Sequence, residues 1–174
     1  MGRIKLYYSP WSGGDRPAQV RRLLECAYRM QYGGPLPAIQ KTAMGKPFFP
    51  DRPQIFFSLS HTKTHVACAL GGAPVGVDIE VLRSPSPRLI RRVCAPAERE
   101  TFGFMQLWVL KESYIKYTGN NRISLQELVF RGTPDRIVAP DGLALCRRYD
   151  SVPGCAAALC AGEMPPEEWI RLDF

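Results

Sequence analysis

Apolar and polar residues along the 174-residue chain change rhythm several times, and each rhythm names an element. In "DRPAQVRRLLECAYRMQYGG" (15–34), Val20, Leu23, Leu24, Ala27 and Tyr28 recur at the 3.6-residue spacing of an amphipathic helix, which Gly33 and Gly34 stop. The stretch 40–53 is punctuated by Gly and Pro and reads as a loop. Two strand-like runs follow, "QIFFSLSHT" (54–62) and "HVACALGG" (65–72), and the turn "GGAP" leads into "VGVDIE". Three strands in succession with short links predict an antiparallel meander. In the third, alternate side chains point to opposite faces, so Val77 and Ile79 share one face and Asp78 and Glu80 the other. The apolar pair suits a core. The two carboxylates repel unless something positive sits between them.

Pro85 and Pro87 mark a linker and the midpoint of the chain. Beyond it, "SPRLIRRVC" (86–94) reads as a short basic helix, and the main helix spans roughly 98–118, stopped by Gly119 and Asn120. Strand-like runs then follow: "RISLQELVF" (122–130), "GLALCRRYD" (142–150), "GCAAALCAG" (154–162) and "WIRLDF" (169–174). Each half is thus helix plus about three strands, an echo rather than an alignable repeat.

Composition narrows the class. Hydrophobic content of 45% and charged content of 22% are those of a soluble globular chain. No apolar run approaches the ~20 residues of a membrane span, and the N-terminal stretch has no h-region of a secretory signal, so a cytoplasmic, non-membrane protein is expected. The net charge is +7, carried by 17 arginines and six lysines. It fits either a solvated basic surface or an anionic partner, for which the arginine fork is suited. No nucleic-acid-binding signature is present, so no nucleic-acid partner is expected. The six cysteines form no CxxC pair, which argues against structural zinc and for free, mostly buried thiols.

The candidate chemistry centres on "LWVLKESYIKYTG" (107–119). On a helix, Leu107, Leu110, Tyr114 and Tyr117 form a core face, and Trp108, Glu112 and Lys116 form an i, i+4, i+8 row beside it. Alone, Glu112 and Lys116 are a surface pair worth about 0.2–0.5 kcal/mol. Combined with Asp78 and Glu80, Glu112 completes three hard oxygen ligands if the helix packs across the strand end. Mg²⁺ takes such ligands, keeps waters and bridges to phosphates. Lys116 then meets the same phosphate. Ser60 and His61 of "FSLSH" add donors, and Lys46 of "MGKP" adds a charge beside Gly45.

"GVDIE" (76–80) followed by "WVLKESYIK" (108–116) resembles the 4′-phosphopantetheinyl transferases of the longer, two-lobed kind. The family pattern G-[IV]-D-x-E, then W-x-x-K-E-[SA]-x-x-K, stands here as Gly76, Val77, Asp78, Glu80, then Trp108, Lys111, Glu112, Ser113 and Lys116. "GKPFFP", "FFSLSHT" and "CRRYDSVPGCAAALCA" look like further family segments, so the resemblance runs from about residue 16 to the end. Two departures stand out: the interval from Asp78 to Glu112 is shorter than in most members, and little chain precedes Arg16.

The resemblance implies an α+β fold of two pseudo-symmetric lobes, each an antiparallel sheet of about three strands with packed helices. The active site would lie in the cleft between lobes 1–83 and 84–174. It implies transfer of the 4′-phosphopantetheine arm of coenzyme A to a serine of an acyl or peptidyl carrier protein, releasing 3′,5′-ADP. Asp78, Glu80 and Glu112 would hold Mg²⁺, or Mn²⁺ in its place. Glu112 would be the base, although metal binding lowers its basicity, and Lys116 would stabilise the transferring phosphoryl group. Arg16, Arg21, Lys46, Ser60 and His61 would bind coenzyme A. Lys111 either snorkels at the core edge or meets phosphate. An acidic carrier suits the +7 charge, with Arg88, Arg91 and Arg92 as a docking patch or merely a solubilising face. A monomer is expected. The competing readings are a Mg²⁺-dependent phosphohydrolase or nuclease, and a non-catalytic carrier-binding module, against which the retained acids and Lys116 argue.

Overall fold

Asp15 starts the first helix, α1 (Arg16–Tyr32): its carboxylate accepts the Ala18 N–H, and Pro17 occupies the first turn. The buried stripe is Leu23, Leu24, Ala27 and Tyr28, as the periodicity predicts. The structure is a computed structural model that describes residues 2–11 and 13–174. Its strands are β1 (Lys5–Pro10), β2 (Gln40–Lys41), β3 (Pro47–Phe48), β4 (Phe56–His61), β5 (His65–Gly71), β6 (Val75–Val81), β7 (Arg131–Thr133), β8 (Arg136–Val138), β9 (Leu145–Tyr149), β10 (Cys155–Ala161) and β11 (Trp169–Arg171). The other helices are α2 (Pro87–Val93) and α3 (Phe104–Thr118).

The α+β class is as expected, with larger sheets. One sheet has the order β11-β1-β5-β4 and the other β6-β10-β9-β8-β7, while β2 and β3 pair separately. The meander expected over 54–80 ends after β5. β4 and β5 pair antiparallel, but β6 joins β10 in the second sheet, with Asp78 opposite Ala158 and Glu80 opposite Ala156. Conversely β11, near the C-terminus, lies parallel to β1 in the first sheet. Backbone pairing therefore crosses residue 83 in both directions.

The order of layers is α1, first sheet, second sheet, α3. Tyr7, Val66, Cys68 and Leu70 face α1. Leu6, Ala67 and Ala69 meet Val75, Val77, Ile79 and Leu159 of the second sheet. The opposite face of that sheet offers Ala156, Ala158 and Cys160 to Leu107, Leu110 and Tyr114 of α3. The alternation read in "VGVDIE" is thus realised: Val77 and Ile79 enter the core between the sheets, and Asp78 and Glu80 lie on the α3 side.

Two local expectations change, and one strand is new. α3 begins at Phe104, because Gly103 caps it and residues 96–98 form a separate short turn of 3₁₀ helix. The run 122–130 is not a strand. Asn120 Oδ1 accepts the Arg122 N–H, Glu127 N–H turns back to Ser124, and Ile123, Leu125, Leu128 and Phe130 pack on the α3 core as a wrap. The β7–β8 hairpin follows it. β1, little marked in the sequence, is an interior strand of the first sheet. Among the described residues, no helix is long and apolar enough to cross a membrane.

Candidate active site

The site forms where β4, β6 and α3 meet. Among the described residues, no strand pairs through its main chain with the outer edge of β6; instead Ser58 Oγ of β4 accepts the Val77 N–H at 3.0 Å, and Ser60 Oγ accepts the Ile79 N–H at 3.3 Å. Serine hydroxyls of "FSLSH" thus stitch the two sheets together. Ser60 uses its own proton toward Asp78 Oδ1, at 2.8 Å.

α3 can approach because position 76 is glycine. A Cβ there would stand 2.1 Å from the Ser113 carbonyl oxygen and 2.2 Å from the Tyr117 nitrogen. The helix therefore rests on the strand's backbone. Ser113, fully buried, turns its hydroxyl to the Leu110 carbonyl at 2.8 Å.

This seating aligns the Trp108–Glu112–Lys116 row with the acids. Lys116 Nζ lies 2.7 Å from Asp78 Oδ1 and donates to Ser60 Oγ at 3.0 Å. Trp108 Nε1 donates to Glu80 Oε1 at 3.2 Å, and the Arg83 guanidinium sits 5.7 Å from the Trp108 ring centroid. Glu112 lies between these contacts on the same row. Burial first, then the Asp78 charge, pushes the Glu112 carboxyl above the ordinary range, with Lys116 opposing and Glu80 adding to the rise. The Glu80 carboxyl is also raised, by burial and then Asp78, against the pull of Trp108, Arg83 and Lys116. Glu112 thus senses the charge of both other carboxylates, and Glu80 that of Asp78.

The fit to a divalent cation rests on this donor set. Among the described residues, buried Asp78 Oδ2 has no hydrogen-bond partner, and two further carboxylates stand near it at electrostatic cost. Hard oxygen donors of this kind suit Mg²⁺ or Mn²⁺. Among the described residues, no three His, Cys, Asp or Glu side chains are drawn together tightly enough to hold a metal ion by themselves. The set fits an ion that keeps waters and takes substrate oxygens, rather than one caged by protein.

The remaining expected residues divide. Lys46 is brought in: its ammonium donates to the Tyr117 carbonyl at the C-terminal end of α3, with Val75 O at 3.5 Å. Burial lowers its pKa to about 8. Lys46 and Lys116 both line a cavity of about 230 Å³ with Gly45, Ser58, Leu59 and Ile115. His61 is exposed at the end of β4, next to Ser60. Arg16 opens α1 with its guanidinium 4.0 Å from the Trp11 ring centroid and a buried Nε that has no hydrogen-bond partner among the described residues. Arg21 is engaged elsewhere, in an exposed pair with Glu25 at 3.0 Å.

Lys111 does neither thing expected of it. Fully buried, its ammonium bonds the Val93 carbonyl at 2.7 Å and pairs with Glu98, itself buried. Glu98 also accepts the Ala95 and Phe130 N–H groups at 2.9 and 2.8 Å. Sequence reading passed over Glu98; its only signal is a carboxylate just ahead of an apolar helix whose lysine needs a partner.

A sequence model of the 4′-phosphopantetheinyl transferase superfamily matches residues 74–150, which hold both motifs. A 4′-phosphopantetheinyl transferase of Bacillus subtilis is 32% identical over 133 residues, covering 67% of this chain and 59% of that protein. The 4′-phosphopantetheinyl transferase Sfp of Bacillus subtilis (strain 168) is 32% identical over 147 residues, 75% of this chain and 66% of that one. The 4′-phosphopantetheinyl transferase psf-1 of Bacillus pumilus is 30% identical over 144 residues, 74% and 62%. The chain thus spans between 59% and 66% of the length of these relatives. With both motifs folded onto one site and the match spread over β6, α3 and the strands around them, the chain belongs to the 4′-phosphopantetheinyl transferase superfamily.

Proposed function

We propose that this chain transfers the 4′-phosphopantetheine arm of coenzyme A to a serine hydroxyl of an acyl or peptidyl carrier protein, releasing 3′,5′-ADP, with Mg²⁺ or Mn²⁺ bound. It does so as a cytoplasmic monomer acting on acidic carriers. The observation that carries this reading is the meeting of Asp78, Glu80 and Glu112 with Lys116 at the β6–α3 contact. The names of the relatives support the reaction, and the net charge of +7 supports the acidic carrier.

Asp78, Glu80 and Glu112 would hold the ion, which when bound supplies charge neutralisation on the pyrophosphate and on the leaving phosphate. The protein's own groups do the rest. Glu112 takes the proton of the carrier serine hydroxyl, directly or through a water. Its raised basicity in a half-buried site favours that step, and metal contact tempers it. The serine oxygen forms a bond to the phosphorus of the pantetheine phosphate. The bridging P–O bond breaks, and its electron pair leaves with 3′,5′-ADP. Lys116 has donors to share between Asp78 and the transferring phosphoryl oxygens. Lys46, beside it in the same cavity, adds positive charge toward the pyrophosphate. Ser60 orients Asp78, and His61 and Arg16 are the donors assigned to the nucleotide phosphates. Trp108 steadies Glu80.

The test is intact-mass analysis after incubation with coenzyme A, Mg²⁺ and an apo carrier protein. Addition of one phosphopantetheine arm to the carrier serine is expected. Coenzyme A cleavage without carrier modification would overturn the reading in favour of a phosphohydrolase.

A further inference from the structure

β9 is hydrogen-bonded along its whole length to β10, from Leu145 opposite Ala161 to Tyr149 opposite Ala157. On its other side, β8 pairs with it only where Val138 faces Leu145. Among the described residues, the outer backbone edge of Cys146–Tyr149 therefore has no strand beside it. A cavity of about 480 Å³ lies there, bounded in part by the tip of the β7–β8 hairpin at Pro134 and Asp135. Its lining takes Leu145 and Arg147 from one face of β9 and Cys146 and Arg148 from the other. A hollow that meets both faces of a strand opens on the strand's edge.

The side chains around that edge are unbalanced. Among the described residues, the buried Nε and Nη1 of Arg148 have no hydrogen-bond partner, and Arg148 enters no ion pair. Asp135 and Asp150 line the same cavity without reaching it, and Arg147 pairs with Glu167 at 3.4 Å. Guanidinium nitrogens withdrawn from water and left unpaired are costly, and a carboxylate that accepts from them relieves that cost. On the opposite face of β9, Leu145 and its neighbour Val138 are each 40% exposed, and Met164 beside them is 70% exposed.

We propose that the open edge of β9 docks an extended segment of a partner protein in which acidic and apolar residues alternate. The segment adds to the sheet as a further strand, its main chain pairing with Cys146–Tyr149. Period-two geometry sends its acidic side chains to the face of Arg148 and its apolar side chains to the face of Leu145 and Val138. This edge lies across β10 from β6, so the segment does not compete with the carboxylate site.

The probe is a synthetic octapeptide of alternating valine and glutamate, read by fluorescence anisotropy and by amide hydrogen exchange of the whole protein. The peptide slows exchange at Cys146–Tyr149. Replacing its glutamates by glutamine weakens binding about tenfold or more, and methylating alternate backbone nitrogens abolishes it. Arg148→Ala weakens binding of the glutamate peptide to the same degree and leaves carrier modification unchanged. The proposal is overturned by unchanged β9 exchange, by equal affinity for the glutamine peptide, or by undiminished binding to a folded Arg148→Ala variant. Should that variant not fold, the glutamate-against-glutamine comparison on the unaltered protein decides alone.

Discussion

Ser113 and Gly76 meet backbone to backbone: the helix carbonyl lies where a side chain at position 76 would begin, 2.1 Å from the place of its Cβ. Asp78 and Glu80 take their places relative to Glu112 and Lys116 from this contact. Gly76→Ala is expected to destabilise the protein by about 3 kcal/mol or more, the upper end of overpacking costs, because both obstructing atoms are main chain and cannot swing away. Urea unfolding measures the loss. Any folded fraction should transfer poorly, since its acids are displaced from α3.

Glu112→Gln should abolish carrier modification while making the protein more heat-stable near neutral pH. Burial and the neighbouring acids hold the Glu112 carboxyl above its unfolded value. The folded state therefore binds protons more readily, and stability is lost as pH rises through the folded-state titration. Glutamine removes that loss. The difference in Tm between variant and wild type should be positive at pH 7 and shrink as pH falls toward 4.5, the ordinary value of the group. Scanning calorimetry across that range is the check; a difference that grows on acidification would contradict the assigned cause.

Mg²⁺ should raise the Tm of the wild type and raise that of Glu112→Gln much less, because the ion relieves repulsion among Asp78, Glu80 and Glu112. Thermal melts with and without millimolar-range Mg²⁺, repeated with Mn²⁺, measure the effect.

Lys111→Ala should cost about 3–5 kcal/mol, because it strands the buried Glu98 carboxylate without its cation. The double replacement Lys111→Met with Glu98→Gln should cost less than the sum of the single changes. Denaturant midpoints of the wild type, Lys111→Met, Glu98→Gln and the double variant form the cycle.

Trp108→Phe keeps the ring on α3 and removes the N–H that holds Glu80 Oε1. Folding should be unaffected. The Mg²⁺ concentration for half-maximal transfer should rise about tenfold, the usual scale for losing a partner that orients a metal-binding carboxylate.

Much of this site was legible in sequence because it rests on two short periodicities. The two-residue alternation in "VGVDIE" placed Asp78 and Glu80 on one face, and the four-residue spacing from Trp108 to Lys116 placed Glu112 between two contacts now seen with those same acids. What stayed hidden depends on distant partners. Nothing near Lys111 announces Glu98, which arrives from a separate turn. The alternating apolar residues of 122–130 look like a strand, yet the Arg122 and Glu127 N–H groups find local acceptors and the Phe130 N–H finds the Glu98 carboxylate. The pairing of β6 with β10 and of β11 with β1 is a matter of topology, and local pattern carries no mark of which edge a strand will join.

That exchange of strands has a mechanical meaning. With β6 knitted into a sheet built mostly from later residues, and β11 returned to the one built from earlier residues, the two halves are buckled at both ends. They cannot swing apart like the leaves of a book without tearing main-chain ladders. Access to the carboxylate site must then be managed by side chains and surface loops around a frame that stays shut.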